Sequence, residues 1–233
     1  MDAGKGRFIV FEGTEGVGKS TQLRRLRQWL AQRLPPGVLS IAVTREPGGT
    51  DLGQRLRALL LDSALTEAEG LPHLTELLLY AADRAQHVHT TLKPALTEGA
   101  LVLCDRYTGS TIAYQGYGRG LDLALIERLN AIATGGLTPD LTLWLDLDVR
   151  EGLRRARQRQ PEAGELEGKD RMEAAELSFH QRVRQGFAAL AAANPQQIVR
   201  IDAGLPEDRV SAQIQTAMEQ HLQQWYPQHL ASS

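Results

Sequence analysis

The stretch FEGTEGVGKST, residues 11–21, is the part of this 233-residue chain from which its fold is most directly predicted. Its last glycine, Gly18, is followed by Lys19 and Ser20, which completes the pattern Gly-x4-Gly-Lys-Ser/Thr of a phosphate-binding loop. The preceding residues FIVF are typical of a buried strand, and leucines at helical spacing follow the loop. Successive backbone N–H groups of such a loop converge on phosphate oxygens at a helix N-terminus. The stretch therefore predicts a nucleoside triphosphate site in an α/β domain.

The loop predicts how the triphosphate is held. Lys19 is expected to bridge the β- and γ-phosphates, and the Ser20 hydroxyl is expected to bind Mg²⁺. The residues expected to contact the nucleotide are Gly13, Thr14, Glu15, Gly16, Val17, Gly18, Lys19, Ser20 and Thr21. The alternative is a glycine-rich turn without a ligand. The chain lacks the Asn-Lys-x-Asp motif of GTPases and the His-Arg-Asp loop of protein kinases, which disfavours both classes.

Glu15 is an unexpected residue for an anion-binding loop, because its carboxylate repels phosphates. One interpretation is that Glu15 accepts a hydrogen bond from the sugar hydroxyl of a second ligand. The other is an exposed acid at the tip of the loop, balanced by a nearby arginine. The loop sequence leaves both open.

The composition is that of an ordinary globular domain, with 42% hydrophobic and 23% charged residues and a net charge of −2. This balance favours neither nucleic acid nor membrane as a partner. The N-terminus does not have the pattern of a signal peptide, and no apolar run has the length of a membrane span. Cys104 is the only cysteine, which excludes internal disulfides and favours a cytoplasmic location.

Strands and helices alternate along the chain, which predicts βαβ units and a parallel sheet with ligands at the carboxyl ends of its strands. We expect one domain over residues 1–233. The predicted strands lie in the segments RFIVFEG, SIAVTREP, ALVLCDRY, LTLWLDLD and QIVRIDA, and their continuous apolar character indicates cover on both faces.

One segment differs in composition from the rest of the chain. Residues 154–176 are dense in charge and contain Pro161, Gly164 and Gly168. We interpret this part of the chain, about 150–173, as a mobile lid inserted at the rim of the domain.

Several further motifs occur in a characteristic order. They are TREPGGT (44–50), AADRAQH (81–87), DRYTGSTIAYQG (105–116), PDLTLWLDLD (139–148), and DRME followed by FHQRVRQGF. With the phosphate-binding loop, they closely resemble the motifs of bacterial thymidylate kinases over nearly the whole chain, from Phe8 to Asp202. The resemblance implies a nucleoside monophosphate kinase fold with a five-stranded parallel sheet. It also implies a homodimer and the transfer of a phosphoryl group from ATP to dTMP with Mg²⁺, giving ADP and dTDP.

The resemblance assigns roles near the phosphates. Glu15 is expected to contact the 3′-hydroxyl of dTMP, and Arg106 its 5′-phosphate, in a bidentate geometry that lysine does not reproduce. Asp105 is expected to orient water bound to Mg²⁺. Arg45 is expected to assist near the acceptor phosphate, with Pro47 as a wall of the pocket. For Asp105 and Arg106, the alternative is a structural ion-pair network at the strand end.

The resemblance also implies how the base is read. By this resemblance, Tyr80 is expected to stack on thymine and Arg84 to donate to its O4. The two are four residues apart and therefore lie on one helical face. Thr111 and Gln115 are expected to reach the pyrimidine edge, and Tyr114 to pack against C2′ of the sugar. For Tyr80, a place in the hydrophobic core is the alternative.

The loop contains no arginine. In the branch of the family whose loop lacks one, the lid carries the catalytic arginine, so the resemblance implies the same here. Arg155 and Arg159 are the assigned candidates, with Arg157 and Arg171 nearby. Arginines on a solvated helix are common, so a surface role is the alternative. The insertion is also longer here than is typical of bacterial members, which leaves the register of the lid open.

Two other functions compete with this one. One is a kinase for another nucleoside monophosphate, and the other is a regulatory module that binds ATP without transferring phosphate. The acceptor-phosphate residues and the arginine-rich lid disfavour the sensor. The histidines at 73, 87, 89 and 180 have no metal-ligand spacing and are expected to be structural or on the surface.

Overall fold

The fold contains the predicted five-stranded parallel sheet, in the order β2-β3-β1-β4-β5. The structure is a computed structural model that describes residues 6–34, 40–62, 70–158 and 176–227. The strands are β1 (Arg7–Glu12), β2 (Ile41–Arg45), β3 (Leu101–Asp105), β4 (Leu141–Asp146) and β5 (Ile198–Asp202). Each neighbouring pair is parallel, which confirms the fold class expected from the sequence.

Helices connect the strands along the chain, and the last helix follows β5. They are α1 (Lys19–Arg33), α2 (Asp51–Leu61), α3 (His73–His87), α4 (Lys93–Thr97), α5 (Thr108–Thr111), α6 (Leu123–Thr134), α7 (Val149–Gln158), α8 (Leu177–Ala193) and α9 (Glu207–Trp225). Two π-helical segments, Val88–Leu92 and Ile112–Gly118, continue α3 and α5.

The core lies on both faces of the central strands. Side chains alternate along β1, so Ile9 and Phe11 pack on the face covered by α1 and α9, and Phe8 and Val10 pack on the opposite face. The edge strands β2 and β5 are only partly covered, and Val43 of β2 is 44% exposed. The expectation of cover on both faces is therefore confirmed for β1, β3 and β4 and wrong for the edges.

The carboxyl ends of β1, β2 and β3 meet at one edge of the sheet, as parallel pairing requires. Arg45 and Phe11 both lie opposite Asp105 in the register. Backbone bonds connect the exits of the strands, since Glu46 N–H donates to the Asp105 carbonyl and Arg106 N–H donates to the Phe11 carbonyl, both at 2.9 Å. This edge brings the phosphate-binding loop and two of the later motifs together.

The first part of the predicted lid is the helix α7. The rest of the segment assigned to residues 150–173, including Arg159 and Arg171, lies outside the described residues. The lid and the single-domain organisation stay predictions.

Candidate active site

The phosphate-binding loop takes the backbone conformation that its glycines permit. Gly16 and Gly18 have φ angles of 71° and 88°, in the left-handed region that favours glycine. At Gly16, a Cβ would also lie 1.9 Å from the carbonyl oxygen of Gly152 in α7. Gly18 is the N-cap of α1, so the free N–H groups at the start of this helix follow the loop directly.

Lys19 lies beneath the loop. Its Nζ donates to the carbonyl oxygens of Thr14 at 2.9 Å and Gly13 at 3.2 Å, and its side chain is buried. Burial lowers the pKa of Lys19, and the neighbouring charge of Arg106 acts in the same direction. The negative charge of a bound phosphate would act in the opposite direction and raise the pKa of Lys19, which agrees with the predicted role of this lysine.

Arg106 connects the loop to the segment that follows β3. Its φ angle of 71° is unusual for a residue other than glycine and costs about 1 to 3 kcal/mol, which the surrounding contacts must offset. Its Nη1 donates to Gly13 O at 3.0 Å and to Ser110 Oγ at 3.1 Å, and its Nη2 donates to Tyr114 Oη at 3.1 Å. Nη2 also forms an ion pair with Glu15 Oε1 at 2.5 Å.

Glu15 is therefore balanced by an arginine, although it is not an exposed acid at the loop tip. Burial by itself raises the pKa of Glu15, but the charges of Arg106 and Lys19 and a hydrogen bond from Tyr114 at 2.9 Å outweigh burial and lower the pKa to about 2. Only Oε1 takes part in these two contacts. Oε2 has no hydrogen-bond partner among the described residues and remains able to accept from a ligand hydroxyl.

Glu12, at the end of β1, is a site residue that the sequence analysis did not identify. Its Oε1 accepts from the backbone N–H groups of Tyr107 at 3.0 Å and Ser110 at 2.9 Å, and its Oε2 accepts from Ser110 Oγ at 2.5 Å. Glu12 thereby fixes the segment that presents Arg106. The signal was an acid inside an otherwise apolar strand, since a buried carboxylate needs donors.

Asp105 and Ser20 provide oxygen ligands of the type that Mg²⁺ prefers. Ser20 Oγ lies 3.4 Å from Asp105 Oδ2, and Asp105 Oδ1 is buried without a hydrogen-bond partner among the described residues. A hydroxyl and a carboxylate beside the loop fit a hard cation bound partly by protein and partly by phosphate oxygens. The two residues are therefore compatible with the predicted metal site.

Arg84 forms more hydrogen bonds with the protein itself than its predicted role in base recognition requires. It is 2% exposed and donates to Glu46 Oε2 at 2.8 Å, Asn130 Oδ1 at 2.7 Å and the Tyr107 carbonyl at 3.0 Å. The other oxygen of Glu46 contacts His87 Nδ1 at 2.8 Å, and His87 Nε2 contacts Thr44 at 2.7 Å. This network confirms that His87 is structural, and it makes Arg84 a link between β2 and α3.

A cavity beside the loop brings most of the predicted substrate residues together. Those lining it are Glu15, Pro47, Tyr80, Arg84, Arg106, Thr111, Tyr114 and Gln115. Tyr80 is half-buried at this wall, so it is not a residue of the central core. Their contacts with a nucleotide stay predictions.

One arginine that the sequence predicted near this cavity does not line it, and another that was not predicted does. Arg45 is exposed and does not belong to the lining, whereas Arg57 of α2 does and donates to the Pro47 carbonyl at 3.3 Å. The sequence offered no signal that distinguishes Arg57 from Arg55 on the same helix.

The helix α7, which is the described part of the predicted lid, lies against the phosphate-binding loop through the contact of Gly152 with Gly16. Arg155 donates to Glu151 Oε1 at 2.8 Å and to the Ala203 carbonyl at 3.2 Å. It is thus near the loop and engaged with protein groups.

The described residues contain no cluster of three or more His, Cys, Asp or Glu side chains suited to a metal ion. None of the described helices combines the length and apolar character needed to cross a bilayer.

Comparison with known proteins gives a consistent result. The family model for thymidylate kinase matches residues 11–214. A thymidylate kinase of Cyanothece sp. (strain PCC 7425 / ATCC 29141) is 58% identical over 233 residues, covering 96% of this chain and 98% of that protein. One from Acaryochloris marina is 55% identical over 231 residues, covering 95% and 99%.

A solved structure agrees with the sequence relatives. The crystal structure of thymidylate kinase from Ehrlichia chaffeensis has a TM-score of 0.70 and 34% sequence identity, covering 91% of this chain and 98% of that chain. The phosphate-binding loop, the adjoining cavity and these matches lead to one conclusion. The chain belongs to the thymidylate kinase family, whose enzymes phosphorylate dTMP to dTDP with ATP as the donor.

Proposed function

We propose that the chain transfers the γ-phosphoryl group of ATP to dTMP for dTTP synthesis, with ATP on the loop of residues 13–21 and dTMP in the adjoining cavity. One contact carries this assignment. Arg106 Nη2 lies 2.5 Å from Glu15 Oε1. Because Glu15 belongs to the phosphate-binding loop and Arg106 lines the cavity, this contact supports a donor site and an acceptor site that adjoin. Phosphoryl transfer depends mainly on positioning and charge neutralisation, which adjoining sites supply.

Arg106 is proposed to bind the 5′-phosphate of dTMP. Its guanidinium is already held by Gly13, Ser110 and Glu15, and its half-buried position strengthens its attraction for an incoming anion. Glu15 and Tyr114 are proposed to contact the sugar, with the free Oε2 of Glu15 accepting from the 3′-hydroxyl.

On the donor side, Lys19 is proposed to move its hydrogen bonds from the loop carbonyls to the β- and γ-phosphates. Ser20 and Asp105 are proposed to hold Mg²⁺, which neutralises phosphate charge when bound. Arg155, and Arg159 outside the described residues, are the proposed lid arginines, and one such residue is worth about 10³ or more in rate.

Base recognition is proposed for the cavity wall formed by α3 and the segment after β3. Tyr80 is proposed to supply a ring for stacking. Thr111 and Gln115, which also line the cavity, are proposed to reach the pyrimidine edge. Arginine has five N–H donors, and the contacts of Arg84 with Glu46, Asn130 and Tyr107 do not use all of them. Arg84 is proposed to donate one of the remaining N–H groups to O4.

A coupled assay of ADP release with dTMP, dUMP, dCMP, UMP and AMP tests the substrate assignment. We expect the highest kcat/KM with dTMP. A higher value with another monophosphate would identify a different kinase, and ATP binding without transfer to any of them would identify a sensor.

Lys19→Ala tests the loop. We expect activity to fall below about a tenth of the parent value, because a charge directed at transferring phosphates is worth several kcal/mol in a dry site. The control is Lys93→Ala, which removes an exposed lysine at the start of α4. Equal activity of the two variants would contradict the loop assignment.

A homodimer is also proposed. Three helices expose leucine or isoleucine side chains, and one of them, α3, packs against both of the others, α2 and α6. The exposed residues are Leu52, Leu59, Leu74, Leu78, Leu123 and Ile132, the last 77% exposed. Apolar side chains on neighbouring helices favour burial against a second copy.

The chain is further proposed to act in the cytoplasm on free nucleotides and not on nucleic acid or membranes.

A further inference from the structure

Gln115 lies at the wall of the cavity with its amide held from behind. The residue belongs to the π-helical segment Ile112–Gly118, and its backbone carbonyl accepts from Leu121 N–H at 3.0 Å. Its side-chain Nε2 donates to Glu76 Oε1 at 2.7 Å. Both side chains are buried, Glu76 at 0% exposure. The contact is therefore short and shielded from water.

The chemistry of Glu76 determines which end of the amide faces it. A carboxylate accepts hydrogen bonds and donates none. Glu76 also forms an ion pair with the Arg119 guanidinium at 3.4 Å. If the amide of Gln115 were reversed, its carbonyl oxygen would face the Glu76 oxygen, and two buried acceptors would repel. The NH₂ group of Gln115 therefore points towards Glu76.

The opposite end of the amide is then left for a ligand. Oε1 of Gln115 accepts no hydrogen bond from any described residue, and Gln115 lines the cavity while Glu76 does not. Glu76, Tyr80 and Arg84 are spaced four apart along α3, so Glu76 lies one turn below the two residues proposed to contact the base.

The carbonyl of Gln115 matches one class of pyrimidine. Thymine and uracil carry an N–H donor at N3, whereas N3 of cytosine is an acceptor. We propose that Glu76 is a positioning residue that keeps the Gln115 carbonyl towards the base and thereby selects a pyrimidine with a donor at N3. This inference rests on the proposed function, since it places the base of the acceptor in this cavity.

Glu76→Gln tests the proposal, because a glutamine at 76 can accept from or donate to Gln115 and so permits both amide orientations. The measurements are kcat/KM for dTMP and dUMP, and for dCMP either kcat/KM or its inhibition constant against dTMP. We expect dTMP and dUMP to lose about tenfold alike while dCMP does not weaken, so that the preference for dTMP over dCMP falls about tenfold or more. The control is Glu98→Gln, the same change at an exposed position at the end of α4, which should leave the preference unchanged.

A purely structural role of Glu76 predicts a different pattern, in which all three nucleotides weaken together. An unchanged preference in Glu76→Gln would overturn the proposal. If that variant does not fold, Gln115→Met decides, since it keeps the length of the side chain and removes the amide. It should lower the preference for dTMP over dCMP to a similar degree, and an unchanged preference would overturn the proposal.

The same assay separates this inference from the proposed function. A parent enzyme that does not phosphorylate dTMP would contradict the function itself. A parent enzyme active on dTMP, with a base preference that neither variant alters, would contradict only the role of Glu76.

Discussion

Glu15 and Arg106 show how an acid is accommodated in an anion-binding loop. The carboxylate is half-buried and would be costly there without a partner, and the guanidinium at 2.5 Å offsets that cost. The pKa of about 2 means that Glu15 stays ionised throughout the working pH range, so its charge is a constant feature of the site.

Glu15→Gln is expected to weaken use of dTMP by about 1 to 1.5 kcal/mol in kcat/KM, because a charge-assisted hydrogen bond is about twice as strong as a neutral one. With 3′-deoxy-TMP, which lacks the hydroxyl, the parent and the variant should differ much less. Kinetics of both enzymes on both acceptors form a double-mutant cycle between a residue and a ligand group. A coupling energy near zero would show that Glu15 serves only to balance Arg106.

Asp83 is another buried acidic residue. It is 1% exposed, its Oδ1 accepts from Gly48 N–H at 3.1 Å, and its Oδ2 has no hydrogen-bond partner among the described residues. Burial, aided by the charge of Glu46, raises the pKa of Asp83 from 3.8 to about 6. Because the folded-state pKa lies above the unfolded one, the contribution of Asp83 to stability is fully present below about pH 4 and is lost as pH rises through 6.

Asp83→Asn keeps the acceptor for Gly48 and removes the titration. The unfolding free energy of the parent should therefore fall relative to that of the variant by about 2 to 3 kcal/mol between pH 4 and pH 7. Urea unfolding at several pH values measures this difference. Glu98→Gln, at an exposed position, serves as the control, and a constant offset between the parent and Asp83→Asn across the range would contradict the prediction.

Among the helices and loops, α7 and the phosphate-binding loop approach each other closely. A Cβ at Gly152 would lie 2.5 Å from the carbonyl oxygen of Glu15. The helix can approach the loop backbone only because both Gly152 and Gly16 lack side chains.

Gly152→Ala is expected to push α7 away from the loop and to lower stability by about 1 to 3 kcal/mol, the usual cost of overpacking. We also expect a rise in KM for ATP that exceeds the rise for dTMP, because the displaced contact belongs to the donor side. Steady-state kinetics and thermal unfolding measure the two effects. Arg150→Ala, an exposed change on the same helix, is the control, and equal behaviour of the two variants would argue against the close contact.

At the scale of the whole molecule, the apolar side chains exposed on α2, α3 and α6 are the surface that the fold itself does not explain. The leucines of α2 illustrate this, because Leu60 is fully buried while Leu52 and Leu59 are 47% and 48% exposed. Helical spacing alone did not separate the core face of α2 from this outer face.

Leu78→Glu is expected to convert the proposed dimer into monomers. Leu78 is 48% exposed on α3, and a charge buried there on association should raise the dissociation constant about a hundredfold or more, equivalent to about 3 kcal/mol. Light scattering coupled to size exclusion measures the mass. Leu205→Glu, 39% exposed in the loop before α9, should leave the dimer intact. A monomeric parent protein would contradict the dimer.

The features of this protein that depend on neighbours along the chain could be predicted from the amino-acid sequence. The Gly-x4-Gly-Lys-Ser pattern between a strand and a helix predicted the loop, since its glycines set local backbone angles and its lysine follows at a set distance. Five apolar segments separated by helices predicted the parallel sheet, because parallel strands require crossover connections. The later motifs, recognised by resemblance, predicted most of the residues that line the cavity.

The pairing of buried polar groups could not be predicted in this way and became visible only in the folded chain. Glu12 holds Ser110, Glu46 holds Arg84, and Glu76 orients Gln115, each across more than thirty residues of chain. No local pattern encodes such a pair, because each partner is brought close by the packing of separate elements and is then required by the cost of an unpaired buried charge. For the same reason Arg45 does not line the cavity and Arg57 does, since the packing of α2 against the segment after β2, and not residue type, determines which arginine lies at the cavity wall.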